Sequence, residues 1–262
     1  MDKQFTFRSA SVFPFGLKLH VKVLLNPILY ILLLSIMSIG CSRTDLIETC
    51  IPGHQKRILI DASHDGGVWW FPQSPNTGYS DDAHHQGKAL ADLLRSKGFI
   101  VDELHSNTLI TYTMLQHYDK VIRAGSYGIY QESEIAAYEK FLTGHSSLFL
   151  ISEYKRPGET DLLAKRIGVE FEGSYYGNVN RYATHSITTG ATPFYYNAGS
   201  IVTNENSNPN IQVLAWLDNN TSLPVAGILN HLTSKIFFLG EINGLETIPQ
   251  PLTNNILNWL FN

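Results

Sequence analysis

The stretch DASHDGGVWWFPQ, residues 61–73, sets two acids, a histidine, two glycines and two tryptophans directly behind the apolar run ILI. A loop at a strand end that carries such residues holds a ligand more often than a loop of ordinary composition. His64 offers a neutral imidazole that can act as a base, a ligand or a loop-tying hydrogen bonder. Asp61 and Asp65 flank it, Gly66 and Gly67 permit close backbone approach, and Trp69 and Trp70 can stack on a sugar ring or a peptide side chain. The same tryptophans also suit a hydrophobic plug that pins a long loop.

Further polar residues fall at the ends of other apolar runs. Glu153 follows SSLFLIS, Glu241 follows KIFFLG, and Ser126 and Tyr127 follow DKVIRAG. In an open α/β sheet the ligand lies beyond the carboxyl ends of the strands. Asp61, His64, Asp65, Trp69, Trp70, Ser126, Tyr127, Glu153 and Glu241 are therefore the candidate ligand-binding residues. Strand-end acids also cap helices and bind loop amides, so each has a structural alternative. AGSYG (124–128) differs from a G-x-S-x-G elbow only in Ala124, which makes Ser126 a candidate nucleophile; a hydrolase could use Ser126, or His64 with a strand-end glutamate. DDAHH (81–85) invites a metal, but His84 and His85 lack the i, i+4 spacing that places two ligands on one helix face, and no metal site is assigned. Neither phosphate-binding glycine fingerprint occurs, so no cofactor is expected.

These residues need a scaffold, and the chain supplies the pattern of one. Apolar runs at 57–63, 99–104, 119–126 and 146–153 alternate with helical periodicity at 81–99, 111–118, 132–144 and 158–169. Such alternation predicts a parallel sheet with right-handed crossovers and helices on both faces. Asp81 or Asp82 is placed to cap the first helix and Gly98 to end it. Residues 171–222, rich in Tyr, Asn, Thr and Gly, read as an irregular insertion of short strands and long loops. LPVAGIL and KIFFLGE read as a closing hairpin, and 251–262 as a last helix. The expected fold is a flavodoxin-like, doubly wound, mostly parallel sheet over residues 56–262.

The first forty residues are different. A basic start (Lys3, Arg8, Lys18, Lys22) precedes the fourteen-residue apolar run PILYILLLSIMSIG and then Cys41. That order fits a signal peptide, and SIGC resembles a lipoprotein lipobox with Cys41 as the lipidated residue. Residues 1–40 are read as the signal, 41–55 as a polar tether, and the expected location is the bacterial cell envelope, anchored by lipid on the periplasmic or cell-surface side. A Cys41–Cys50 disulfide is the alternative use of the only two cysteines. A net charge of -4 gives no electrostatic case for nucleic acid.

Taken in order, ILIDASH, YDKVIRAGS with ESEIAAYEKFLTGHSSLFLISE, THSITTG, and LPVAGIL with KIFFLGEINGLE and PLTNNILNWL resemble the class I glutamine-amidotransferase-like superfamily over about residues 57–262. The resemblance is to an extracytoplasmic lipoprotein branch related to trehalose-utilisation-type domains. Members of the superfamily attack an amide with a cysteine on a strand-to-helix elbow, assisted by a histidine and an acid later in the chain. Here no cysteine follows Cys50. The resemblance therefore implies the fold without glutaminase chemistry; together with the lipobox and the acid-rich strand ends, the expectation is a membrane-tethered domain that binds a glycan or peptide.

Overall fold

A computed structural model describes residues 56–64, 87–104, 107–125, 129–218, 220, 222–242 and 250–262. One nine-stranded sheet organises them, in the order β2-β1-β3-β4-β9-β8-β7-β5-β6. Strands β1 (Arg57–Asp61), β2 (Ile100–Leu104), β3 (Lys120–Arg123), β4 (Ser147–Ile151) and β9 (Ser234–Leu239) pair in parallel. Strands β5 (Phe171–Tyr182), β6 (Phe194–Val202), β7 (Ile211–Leu217) and β8 (Pro224–His231) continue the sheet with antiparallel pairing, as far as β8 against β9.

Among the described residues five helices accompany the strands: α1 (Lys88–Ser96), α2 (Tyr112–Leu115), α3 (Glu132–Leu142), α4 (Leu162–Ile167) and α5 (Gln250–Phe261). Period-2 alternation sends Ile58 and Ile60 into one core and Leu59 into the other. Leu90 and Leu94 of α1, with Ile256 and Leu260 of α5, join the first core. Leu115 of α2, Ile135 and Phe141 of α3, and Leu163 and Ile167 of α4 join the second. Helices thus pack on both faces of the parallel half.

Two expectations are corrected. The sheet is mixed rather than mostly parallel, with parallel and antiparallel ladders in equal number. The presumed irregular insertion is three regular strands, the longest of them the twelve residues of β5. Along β5 exposed residues alternate with sheltered ones, but two of the sheltered positions are Gly173 and Gly177. The alternation therefore carries little hydrophobic signal, and β-bulges between Glu172 and Tyr175 and between Val179 and Arg181 break its period. Helix α1 is described from Lys88, with Gly87 as its N-cap; Asp81 and Asp82 lie outside the described residues. Gly98, at φ +89°, takes the left-handed turn that ends it. The β8–β9 hairpin and the closing helix stand as read. The signal, the tether with Cys41, and the DDAHH segment lie outside the described residues.

Candidate functional site

Asp61 closes β1 and is fully buried. Its Oδ1 accepts from the Ser63 amide at 2.9 Å and the Ser63 hydroxyl at 2.6 Å. Its Oδ2 accepts from the phenols of Tyr130 at 2.9 Å and Tyr138 at 2.6 Å. These four donors saturate the carboxylate, so its observed work is to bind the turn after β1 to helix α3 and the segment before it. Burial, followed by the negative charge of Asp61, pushes both phenols well above the ordinary tyrosine value.

The turn held in this way presents His64. Its side chain is 19% exposed, and its ring lies 4.1 Å from that of Tyr130 at a 50° tilt. Nε2 faces both oxygens of Glu134, at 3.1 and 3.2 Å. Glu134 is buried in the first turn of α3 and also accepts the amides of Gln131 at 2.8 Å and Ile110 at 3.1 Å. Burial opposes its ionisation, but the two amides and the imidazole outweigh burial and hold its carboxyl below the usual glutamate range. An ionised acceptor at this position selects the tautomer that carries its proton on Nε2, which leaves Nδ1 as the acceptor of the ring. Glu134 is a residue that sequence reasoning missed. Its signal was the glutamate three residues after Gln131, the spacing of a capping box.

Glu153 and Glu241 belong together and apart from His64. The register Ile151↔Leu239 sets them level, two residues beyond the ends of neighbouring parallel strands. Glu153 accepts the Tyr154 amide at 3.0 Å and, across the strand ends, the Ile242 amide at 3.4 Å. Burial raises its carboxyl above the usual value, and these amides only partly offset that. Glu241 is fully buried and accepts the Asn197 amide of β6 at 3.0 Å. Strands β3 and β4 separate β1 from β9, so the acid paired with His64 comes from helix α3 and not from a strand end. Asp65, Trp69, Trp70, Ser126 and Tyr127 lie outside the described residues.

A second polar centre was also missed. Arg123, the last residue of β3, is fully buried and donates from Nη2 to Asp161 Oδ2 at 2.6 Å and from Nη1 to the Gly125 carbonyl at 3.0 Å. Asp161 simultaneously caps α4 by accepting the Ala164 amide at 3.0 Å. Burial works against its charge, but Arg123 and Lys155 prevail and keep its carboxyl below the usual aspartate range. The signal was Arg123 itself, since a cation at the end of an apolar strand is almost never buried without a partner.

Asp161 also lies in the wall of a cleft of about 540 Å³ beyond the carboxyl end of β4. One side is the loop from Tyr154 to Thr160, which turns at Gly158 (φ +86°). The other is the start of β5, with Phe171, Glu172 and Ser174, and Thr203. The Lys155 amide donates to the Gly173 carbonyl at 2.8 Å and ties the two sides together. Lys155 is 5% exposed, and burial lowers the affinity of its amine for a proton. His64, Glu153 and Glu241 are not among the lining residues. Among the described residues, no three His, Cys, Asp or Glu side chains converge as a metal site would. None of the described helices is long and apolar enough to cross a membrane.

No family model matches the chain, and no curated protein is similar to it in sequence. Solved structures do share its fold. The mmIFT52 N-terminal domain superposes with a TM-score of 0.58 at 14% identity, covering 79% of this chain and 96% of that one. The cytoplasmic protein STM1381 from Salmonella typhimurium LT2 gives 0.51 at 15% identity, over 79% and 99%. A ThuA-like protein from Bacteroides uniformis gives 0.50 at 15% identity, over 82% and 94%. At such identities the likeness is one of fold alone, shared with the mmIFT52 N-terminal domain as well as with a ThuA-like protein.

Proposed function

We propose that the protein is a membrane-tethered, extracytoplasmic binding protein, anchored by lipid on Cys41, whose glutamine-amidotransferase-like domain no longer carries the chemistry of that superfamily and instead takes a glycan. The parallel order β2-β1-β3-β4-β9 supports a flavodoxin-like, doubly wound ancestry for the domain. The absence of any cysteine after Cys50 supports the loss of glutaminase activity.

The observation that carries the binding reading is the charge balance of the cleft beyond β4. Arg156 faces Glu159 at 4.0 Å, Lys165 faces Glu170 at 3.4 Å, and Lys155 lies in the field of Asp161. Each of the three cations of the lining has an acid of the same lining beside it and Glu172 adds one more acid, so the cleft mixes polar and apolar surface with no large excess of either charge. A neutral polyhydroxylated ligand suits such a lining, because it both donates and accepts hydrogen bonds and needs no counter-charge. The cleft volume is also within the usual range for small-ligand sites. A thermal-shift panel of mono- and oligosaccharides tests this reading, since a ligand that binds only the folded state raises the melting temperature. At least one saccharide is expected to stabilise the protein, and Arg156→Ala/Glu159→Ala is expected to remove the effect. No response to any saccharide overturns the proposal.

The His64–Glu134 pair favours a second reading, a hydrolase for esters or glycosides. Glu134 orients the ring, and Nδ1 is then placed to take a proton from an attacking water or hydroxyl, with Ser126 the candidate nucleophile. Turnover of an ester or glycoside panel that disappears in His64→Ala would establish it, and inactivity across the panel would dismiss it.

A further inference from the structure

The antiparallel half of the sheet ends in a hairpin whose two faces differ sharply. On one face Val179, Phe194 and Tyr196 enter the core. On the other, Tyr176 is 58% exposed and Tyr195 is 51% exposed. The register pairs Tyr176 with Asn197 and Asn178 with Tyr195. Two tyrosines and two asparagines therefore occupy opposite diagonals of one four-residue patch. A diagonal of this kind spans about 7 Å, within reach of aromatic side chains. On the far side of β5, Arg181 pairs with Trp216 of β7 and lies 5.0 Å from the centre of its ring. Trp216 borders an open concavity of about 520 Å³.

The strand beneath this patch is held in an unusual conformation. Ala198 sits at φ +67°, a left-handed conformation costly for a residue with a Cβ, and it is the extra residue of a bulge between Asn197 and Gly199. A buried carboxylate fixes the bulge: Glu241 accepts the Asn197 amide, and Gly199 lies so close to Tyr196 and Glu241 that any side chain there would overlap them. Bulges of this type re-aim the side chains of a strand. This one directs Asn197 outward opposite Tyr176, and it gives buried Glu241 a positioning role.

We propose that this face, formed by Tyr176, Asn178, Tyr195, Asn197, Arg181 and Trp216, is a docking platform for a neutral polysaccharide chain. The inference rests on the glycan reading of the cleft and extends it from a short saccharide to a polymer. Tyrosine faces stack on the apolar sides of sugar rings, and amides at alternate positions hydrogen-bond the hydroxyls at the ring edges. Arg181 is the only charged member of the six, and its guanidinium lies against an indole. The patch therefore offers an anionic polymer little electrostatic gain. Exposed tyrosines with amides between them, and one cation at Arg181 with one carboxylate at Asp218, which accepts the Asn178 amide at 2.8 Å, match an extended chain of uncharged sugars.

Affinity electrophoresis of the full chain in detergent, through gels containing barley β-glucan, xyloglucan, xylan or amylopectin, tests the platform, with hyaluronate as the anionic control. At least one neutral polymer is expected to retard the protein. Tyr176→Ala/Tyr195→Ala should weaken that retardation about tenfold, and Tyr176→Phe/Tyr195→Phe should largely restore it. Stabilisation by short saccharides should be unchanged in both variants. Polymer retardation that ignores the tyrosines, or that occurs only with hyaluronate, overturns the platform and leaves the cleft reading standing. Concentration-dependent self-association that disappears in the double variant assigns the face to a second copy and also overturns it. Silence toward both polymers and short saccharides overturns the glycan reading itself.

Discussion

Arg123 and Asp161 meet at 2.6 Å with both side chains buried, and through them the end of β3 is joined to the first turn of α4. Each residue also makes a second contact, the guanidinium to the Gly125 carbonyl and the carboxylate to the amide that it caps. The pair therefore fixes two of the connections that leave the carboxyl edge of the sheet, including the one that borders the cleft.

Removing one partner should be far worse than removing both. Arg123→Met leaves a buried carboxylate without its hydrogen-bonded counter-charge and with only Lys155 nearby, at a cost of about 3–5 kcal/mol. Asp161→Asn keeps an oxygen for the Ala164 amide but strands the guanidinium, at a similar cost. The double variant Arg123→Met/Asp161→Asn is expected to recover most of either loss. Urea denaturation of the four proteins provides the cycle, and additive losses would show that the two residues are not coupled. Because the folded carboxyl of Asp161 lies below its unfolded value, its contribution is complete above the ordinary aspartate range and is lost as pH falls through the depressed folded value. Acid unfolding should accordingly be steeper in the wild type than in Arg123→Met.

His64 and Glu134 give a prediction that can be read spectroscopically. An ionised Glu134 facing Nε2 favours the tautomer protonated at that nitrogen, and long-range ¹H–¹⁵N correlation of the ring should show it. Glu134→Gln keeps one acceptor oxygen but loses the charge, so the ring should become a mixture of tautomers and the protein should lose about 1–2 kcal/mol. A ring in the opposite tautomer in the wild type would remove Nδ1 as a base and with it the hydrolase reading.

The parallel half of the fold was legible because each of its signals lies within one short segment. Ile58 to Ile60 is apolar throughout, Leu90 and Leu94 repeat at helical spacing, and Gly98 and Gly168 end their helices in left-handed turns. The antiparallel half was opaque because glycines occupy sheltered positions of β5 and bulges shift its period. In the candidate site, sequence position placed His64, Glu153 and Glu241 correctly at strand ends. It could not show that the Glu153–Glu241 pair and His64 serve different neighbourhoods, because that depends on the strand order. Glu134 and Asp161 were missed for a related reason: both are helix-capping residues whose second partners, His64 and Arg123, are distant in sequence.

Gly240 should tolerate no side chain. A Cβ there would overlap the Ser200 carbonyl and the Tyr196 hydroxyl, and Gly240 accepts the Ser200 amide at 2.8 Å where β6 crosses the end of β9. The obstacle is backbone, which cannot rotate away as a side chain would. Gly240→Ala is expected to cost about 1–3 kcal/mol, seen as a lower urea midpoint with an unchanged slope. Gly98→Ala meets no atom, so its cost arises only from the positive φ, and it should be the milder of the two.

The proposed lipid anchor is tested at Cys41. In Triton X-114 partitioning the wild-type chain expressed in a bacterium should enter the detergent phase, and Cys41→Ser should move to the aqueous phase or persist as an unprocessed precursor. Cys50→Ser should leave the partition unchanged. An equal shift in both variants would point to a Cys41–Cys50 disulfide instead.

Glu153 makes the pH behaviour of the fold opposite to that of Asp161. Burial raises its folded carboxyl above the ordinary glutamate value, so its protonated form is the better accommodated one. Its contribution is complete below the unfolded value and is lost as pH rises through the raised folded value. Deprotonation then leaves a buried charge that the Tyr154 and Ile242 amides and Lys155 only partly support. Glu153→Gln removes that charge, retains an oxygen for the Tyr154 amide, and forfeits the weak 3.4 Å acceptor for Ile242 and a minor attraction to Lys155, both smaller than the burial it relieves. The variant should therefore be more stable than the wild type at pH 7 and about equal to it near pH 4. Chemical denaturation at the two pH values decides the matter: a Glu153→Gln protein that is weaker at pH 7 would mean that the ionised carboxylate is itself stabilised by its surroundings.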